Sequence, residues 1–217
     1  MLHQFVDIML HLDVHLNEWI TQFGSTTYWI VFGIVFAETG LVVTPFLPGD
    51  SLLFALGALC GVDNAFLKPG ILFPGMMIAV FLGDNLNYLI GRQAGLKLFQ
   101  NPNSKIFRRE YLTRTEKFYA KRGGVMVILA RFAPILRTFS PFVAGMARMA
   151  YGRFLAYSVG GSAAWVGIFL GAGYYFGNVP AIKRNFHVVI LVILVISALP
   201  ALIEAYKLRK ESKALRA

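Results

Sequence analysis

Along residues 1–27 apolar positions recur at Phe5, Ile8, Leu12, Leu16, Trp19 and Phe23, while His3, Asp7, His11, His15 and Glu18 fall on another face. That spacing predicts an amphipathic helix of interfacial character. From Tyr28 the polar face disappears. The apolar run to Val43 is interrupted by Glu38 and Gly40, broken at Pro45, Pro48 and Gly49, and resumes from Leu52 to Cys60. Two full spans do not fit there, so residues 28–61 predict a re-entrant hairpin: two half-helices entering and leaving on one side, with Pro45, Pro48 and Gly49 at the tip. Residues 70–91 predict a spanning helix interrupted in character by Pro74 and Asp84.

Residues 92–123 read as a basic loop. Asn101-Pro102-Asn103-Ser104 reads as a turn, Thr113 and Glu116 have capping-box spacing, and Phe107, Tyr111 and Phe118 among the basic residues predict a surface amphipathic helix that ends at Gly123-Gly124. The broken pattern then returns. Residues 124–149 are apolar but interrupted at Pro134 and Pro141, predicting a second re-entrant hairpin, with spanning helices at 153–177 and 185–206 and a basic tail at 207–217.

Each half therefore reads as amphipathic helix, broken hairpin and spanning helix, entering from opposite faces. The expected fold is a single all-α membrane domain over residues 1–217, an inverted repeat of two opposed re-entrant helical hairpins with transmembrane and interfacial helices. A sequence echo accompanies it: Gly83-Asp84 through Tyr88, Gly91 and Gly95 against Gly160-Gly161 through Trp165, Gly171 and Gly177. Broken helices in inverted repeats are a transport architecture.

Composition sharpens the class. Of 217 residues 57% are hydrophobic and 15% charged, against about 25% charged in an ordinary soluble domain. The run Phe186–Ile203 contains no Asp, Glu, Lys or Arg, and as a helix it reaches roughly 27 Å, close to the hydrocarbon thickness of a bilayer. Net charge is +10, but nine of the 21 Lys and Arg lie between Arg92 and Arg122 and five between Lys207 and Arg216. The positive-inside rule places both segments in the cytoplasm. That clustering suits anionic lipid headgroups, and no nucleic-acid partner is expected. Residues 1–27 hold no Lys or Arg, which puts the N-terminus at the outer face and predicts no cleaved signal peptide. Cys60 is the single cysteine, so neither a disulfide framework nor a cysteine metal site is expected. His11 and His15 have i, i+4 spacing without a placed third ligand, and are read as part of a polar face rather than a metal site.

Glu38, Asp50, Asp84, Arg131 and Arg137 fall inside apolar segments. Unpaired at the bilayer centre, five such charges would cost roughly 12 to 17 kcal/mol, so they must pair, protonate or face water. If the hairpin tips meet, Glu38 and Asp50 confront Arg131 and Arg137. Structural readings stand beside this: Asp50 as an N-cap, Glu38 or Arg131 as a buried lock between hairpins, Arg137 holding broken-helix carbonyls or snorkelling. Asp84 and Arg92 are accessory candidates, and Arg148 and Arg153 read as anchors at the cytoplasmic end. Two arginines matched by two carboxylates offer no net attraction to an anion. Protonating Glu38 or Asp50 frees a guanidinium to grip phosphate bidentately, which couples phosphate binding to proton binding.

Four motifs carry a resemblance: Glu38-Thr39-Gly40, Phe46-Leu47-Pro48-Gly49-Asp50-Ser51-Leu52, Gly91-Arg92-Gln93-Ala94-Gly95 and Arg131-Phe132-Ala133-Pro134-Ile135-Leu136-Arg137-Thr138. Together they resemble the DedA family of bacterial inner-membrane proteins, whose domain is shared with eukaryotic lipid scramblases. The resemblance implies opposed re-entrant hairpins, a multi-pass inner-membrane location, and a role in recycling undecaprenyl phosphate and in proton-motive-force homeostasis and envelope integrity. The family's essential two acids and two arginines fall on Glu38, Asp50, Arg131 and Arg137.

The expected function is a proton-linked translocase of a lipid phosphate, undecaprenyl phosphate first. Arg131 and Arg137 would bind phosphate, Glu38 and Asp50 would carry protons, and the chain would need no cofactor or metal. Partners are the lipid phosphate, protons and membrane phospholipids, with a homo-oligomer as a further state. A proton-coupled antiporter of small cations or drugs and a phospholipid scramblase are the alternatives, and a lipid-organising protein would tolerate Arg→Lys exchanges better than a phosphate site. His3, His11, His15 and His187 all lie outside the hairpins, so a histidine-nucleophile phosphatase lacks its chemistry there and no enzyme activity is expected.

Overall fold

A computed structural model describes residues 12–41, 49–62, 65–98, 124–132, 134–193 and 195, and these residues are helical with short connections and no strand. In chain order the helices are α1 (Leu12–Phe23), α2 (Thr26–Gly40), α3 (Gly49–Cys60), α4 (Pro69–Leu98), α5 (124–130), α6 (Pro134–Met146), α7 (Tyr151–Phe176), α8 (Pro180–Arg184) and α9 (186–193). Pro45 and Pro48, the loop helix expected within 99–123, His3, His11 and the tail 207–217 lie outside the described residues, as does most of the last predicted span beyond 193. His15 Nδ1 lies 3.2 Å from the Glu18 carboxylate, which accepts its N–H.

Among the described residues two helices, α4 and α7, are long and apolar enough to cross a bilayer. Helix α4, with 30 residues, is roughly 45 Å long at 1.5 Å per residue. It continues past Gly91 into the basic segment as far as Leu98. Exposed Ile71, Ile78, Leu82 and Leu89 run along one stripe of it, the surface a lipid-facing helix presents.

Neighbours on the two long helices reveal direction. Tyr88 stacks on Phe154 and Asp84 meets Ser158, while Phe73 lies near Gly167, so α4 and α7 run antiparallel. Helix α3 runs parallel to α7, pairing Asp50 with Trp165 and Ala58 with Gly177, and α6 runs parallel to α4, pairing Thr138 with Asn87 and Gly145 with Arg92. The N-termini of α3 and α6 therefore approach head to head. Helix α2 runs parallel to α4 and antiparallel to α3, and its Glu38 reaches the first residue of α3.

Both close crossings use one device. In α3 Phe54 is followed at i+3 by Gly57, and in α6 Phe142 is followed at i+3 by Gly145. A Cβ on Gly57 would collide with the Leu170 carbonyl oxygen of α7, and one on Gly145 with the Tyr88 carbonyl oxygen of α4. Reciprocally, Gly173 lies against the Phe54 carbonyl and Gly91 against the Phe142 carbonyl. Bare glycine lets backbones approach to this degree, as small residues do between helices in membranes.

The apolar core surrounds α3, whose residues Leu52 to Leu56 are buried on every face, with Val31, Val35, Leu72, Met76, Trp165, Leu170 and Ile190 against it. A second cluster holds Tyr88, Val127, Ala144, Met149 and Phe154. Between the two lies a buried polar layer.

Two sequence expectations shift. Pro141 does not break the apolar segment 124–149. The break falls at the turn 131–132, Pro134 opens α6, and Pro141 sits inside that helix. Proline at a first helical position is pre-organised and loses no hydrogen bond, whereas Pro141 withholds the N–H that Arg137's carbonyl would have received. Asp50 lies within the first turn of α3 rather than ahead of it, where a carboxylate complements the helix dipole.

Candidate functional site

The polar layer is assembled by four helices and one turn. Helix α2 delivers Glu38, the first turn of α3 delivers Asp50, the middle of α4 delivers Asp84 and Asn87, the turn after α5 delivers Arg131, and the first turn of α6 delivers Arg137. All are buried: Glu38 is 0% exposed, Asp84 1%, Arg131 and Arg137 3%, and Asp50 4%.

The layer contains two ionic groups. In the first, Arg137 Nη1 donates to Asp50 Oδ1 at 2.5 Å and Nη2 donates to Glu38 Oε1. The Gly49 backbone N–H donates to that Glu38 oxygen at 3.3 Å, and a Cβ on Gly49 would collide with the Glu38 carboxylate. Trp165 of α7 covers this group: its indole N–H donates to Asp50 Oδ1 at 2.8 Å, and its ring centroid lies 4.5 Å from the Arg137 guanidinium carbon. In the second, Arg131 Nη2 donates to Asp84 Oδ2 and, at 3.0 Å, to Ser158 Oγ. Ser158 in turn donates to the same Asp84 oxygen.

Asn87 ties the layer to the backbone. Its side-chain amide donates to the carbonyls of Thr39 at 3.2 Å and Thr138 at 2.5 Å, the residues that directly follow Glu38 and Arg137. One amide thus fixes the α2 end against the α6 start.

Of the four residues singled out from sequence, Glu38, Asp50 and Arg137 are in direct contact, with Arg137 holding both acids. Arg131 stands in the separate second group and pairs with Asp84, which becomes a full member of the layer. Arg92, the other accessory candidate, is exposed and outside it, with Nη1 3.5 Å from the Tyr88 hydroxyl. Gly49 touches the site through Glu38. Ser158, Asn87 and Trp165 were missed as site residues. The polar pair Asn85 and Asn87 beside Asp84 was the available signal for one of them, but Trp165 and Ser158 look like ordinary core residues of an apolar helix.

Chemically, the layer holds unmet capacity. Arg131 Nε and Nη1, Arg137 Nε and Glu38 Oε2 are buried with no hydrogen-bond partner among the described residues. Each such group costs about 1–3 kcal/mol, more when charged, unless a partner arrives. The described residues contain no group of three His, Cys, Asp or Glu placed to hold a metal ion.

A family profile for the VTT domain matches residues 47–175. The chain belongs to the VTT-domain, or DedA, family. It is 52% identical over 204 residues to Protein DedA of Escherichia coli strain K12, covering 94% of this chain and 93% of that one. An uncharacterized membrane protein of Mycobacterium tuberculosis strain H37Rv is 42% identical over 194 residues, 88% of this chain and 85% of the relative. The inner membrane protein YghB of E. coli K12 is 30% identical over 168 residues, 74% and 73% of the two chains. No solved structure matches the chain significantly. With the spans α4 and α7 and relatives named as membrane proteins, this VTT-domain chain is a membrane protein. Of the layer's charged residues, Asp50, Asp84, Arg131 and Arg137 lie inside the matched segment and Glu38 lies outside it.

Proposed function

We propose that this VTT-domain protein is a proton-linked membrane translocase of a lipid phosphate, undecaprenyl phosphate first, working at the bacterial inner membrane. The observation that carries the reading is the pair of buried arginines with three unclaimed N–H-bearing nitrogens where the N-termini of α3 and α6 approach. Two helix N-termini add positive potential to two guanidiniums, an arrangement that favours a phosphate group. The acids beside them supply the proton linkage: an anion is admitted only as carboxylates give up their charge. The isoprenoid tail stays in lipid, along the apolar stripe of α4.

The topology proposed with it is an inverted repeat of two re-entrant hairpins. The parallel pairs α3–α7 and α6–α4, their matching glycine crossings and the antiparallel α4 and α7 support it. The basic segment 92–122 and the C-terminus lie in the cytoplasm on this reading, and the N-terminus at the outer face.

A second reading follows from the charge count. Glu38, Asp50 and Asp84 against Arg131 and Arg137 leave one net negative charge when all are ionised, which suits a proton-coupled cation antiporter. Binding of polyprenyl phosphates to purified protein in lipid nanodiscs separates the two. The translocase requires binding that is lost in Arg131→Ala and Arg137→Ala and has weaker pH dependence in Glu38→Gln. Equal binding by all four proteins, or proton movement driven by a cation gradient without response to lipid phosphate, favours the antiporter.

A further inference from the structure

The two arginines are unequally occupied. Arg137 spends both terminal amino groups on carboxylates, Nη1 on Asp50 and Nη2 on Glu38, and keeps one unclaimed nitrogen, Nε. Arg131 concentrates its contacts on Nη2, which meets Asp84 and Ser158, and keeps Nη1 and Nε without a partner among the described residues. Gly161 of α7 lets the Arg131 side chain lie close against that helix, since a Cβ there would stand 3.1 Å from Arg131 Nε and Cδ.

Charge follows the same division. With all groups ionised the Arg137 group carries one net negative charge and the Arg131–Asp84 pair none. An incoming anion is repelled by the first and not by the second. Breaking a buried pair by withdrawing one partner is strongly unfavourable, but exchanging one oxyanion for another on the same guanidinium keeps that charge compensated. The displaced carboxylate must then be neutralised.

We propose that Arg131 is the arginine that receives the phosphate, and that Asp84, held by Ser158, is its resident counter-anion and the ligand's internal competitor. This rests on the lipid-phosphate reading and assigns within it a role to a carboxylate outside both hairpins. Phosphate oxygens take the N–H groups of Arg131, Asp84 gives up its bonds to Arg131 and Ser158, and one proton bound by the Asp84 carboxylate balances the exchange. The groups facing Asp84 are Arg131 from the turn after α5 and the Ser158 hydroxyl from α7. The other charged groups that helices packed against α4 bring to the layer are Arg137 of α6 and Glu38 of α2, while Arg92 on α4 itself is exposed.

The test is titration calorimetry of the full chain in nanodiscs with inorganic phosphate, a short-chain polyprenyl phosphate and the matching uncharged polyprenol. Runs in buffers of different ionisation enthalpy count the protons taken up. Asp84→Asn should bind the phosphate probe about tenfold or more tightly than wild type, the scale of one charge-assisted hydrogen bond, and take up fewer protons. Ser158→Ala loosens the resident pair without changing charge and should tighten binding by about threefold. It decides the question if Asp84→Asn does not fold. Affinity equal to or weaker than wild type in a folded Asp84→Asn, or in Ser158→Ala where that one decides, overturns the proposal while leaving the lipid-phosphate reading intact. Failure of wild type to bind either phosphate overturns the reading itself, and this proposal with it. A tightening seen with both phosphates supports the proposal with the headgroup alone sufficient; a tightening seen only with the polyprenyl phosphate supports it with the tail required.

Discussion

Trp165 Nε1 donates a 2.8 Å hydrogen bond to Asp50 Oδ1. The residues are separated by most of the sequence, and both are buried. Because the face of the same indole lies over Arg137, one side chain orients the two halves of an ion pair, by its edge on the acid and its face on the base. Trp165→Phe keeps a ring for the guanidinium and removes the donor to Asp50. It should lower stability by about 1–3 kcal/mol through the unmet carboxylate, whereas Trp165→Ala should cost about 3–5 kcal/mol. Unfolding midpoints of the two variants in one detergent check the order.

Arg137 is held by Glu38 and Asp50 together, so removing it leaves two carboxylates buried side by side. Arg137→Gln should destabilise the protein by about 3–5 kcal/mol, and adding Glu38→Gln should recover a substantial part of the loss. A double-mutant cycle on thermal unfolding measures this coupling. Additive effects would mean that the two side chains do not interact.

Asn87 works by donating. Asn87→Asp replaces the one NH2 group that serves both carbonyls with an oxygen facing Thr39 and Thr138, and adds a carboxylate to a layer already rich in acid. A loss of about 2–4 kcal/mol is expected, greater than for Asn87→Ala, which introduces no repulsion. Circular dichroism melts of both variants test the ranking.

The glycines of the two crossings should be intolerant where other helical glycines are not. Gly57→Ala and Gly145→Ala each force a methyl onto a facing carbonyl oxygen and should cost about 1–3 kcal/mol or more. Gly33→Ala in α2 meets nothing within 4 Å and should stabilise the helix by about 0.5–1 kcal/mol. Thermal shifts of opposite sign are the expected result.

At the end of α6 the Met149 N–H bonds to the Ala144 carbonyl and the Arg148 N–H to the Gly145 carbonyl, with Arg148 at φ 53°. This is a Schellman closure with arginine where glycine is favoured. Arg148→Gly should raise stability by roughly 0.5–1 kcal/mol, since glycine adopts positive φ without steric cost. A chemical-denaturation midpoint lower than wild type would show that the exposed side chain contributes more than its backbone conformation costs.

What the chain alone determined rests on local physics. Apolar runs long enough for a bilayer, prolines that interrupt them, and charges too costly to leave unpaired identified a helical membrane protein and singled out Glu38, Asp50, Arg131 and Arg137, with Asp84 as an accessory candidate; all five are buried. Partner choice was not local. Two acids and two arginines in two broken apolar segments permit several pairings, and Arg131 goes to Asp84 because antiparallel α4 and α7 bring Asp84 and Ser158 to the turn after α5, while head-to-head α3 and α6 leave Arg137 to take both Glu38 and Asp50. Register was not local either: Gly57 of α3 faces the Leu170 carbonyl of α7 and Gly145 of α6 faces the Tyr88 carbonyl of α4, because close backbone approach at glycine decides where two helices touch. Trp165 and Ser158 carry nothing in their neighbours along the chain to mark them. They entered the site only when packing placed an indole edge on Asp50 and a hydroxyl between Asp84 and Arg131, since a buried polar group is satisfied by whatever the tertiary structure brings within hydrogen-bonding reach.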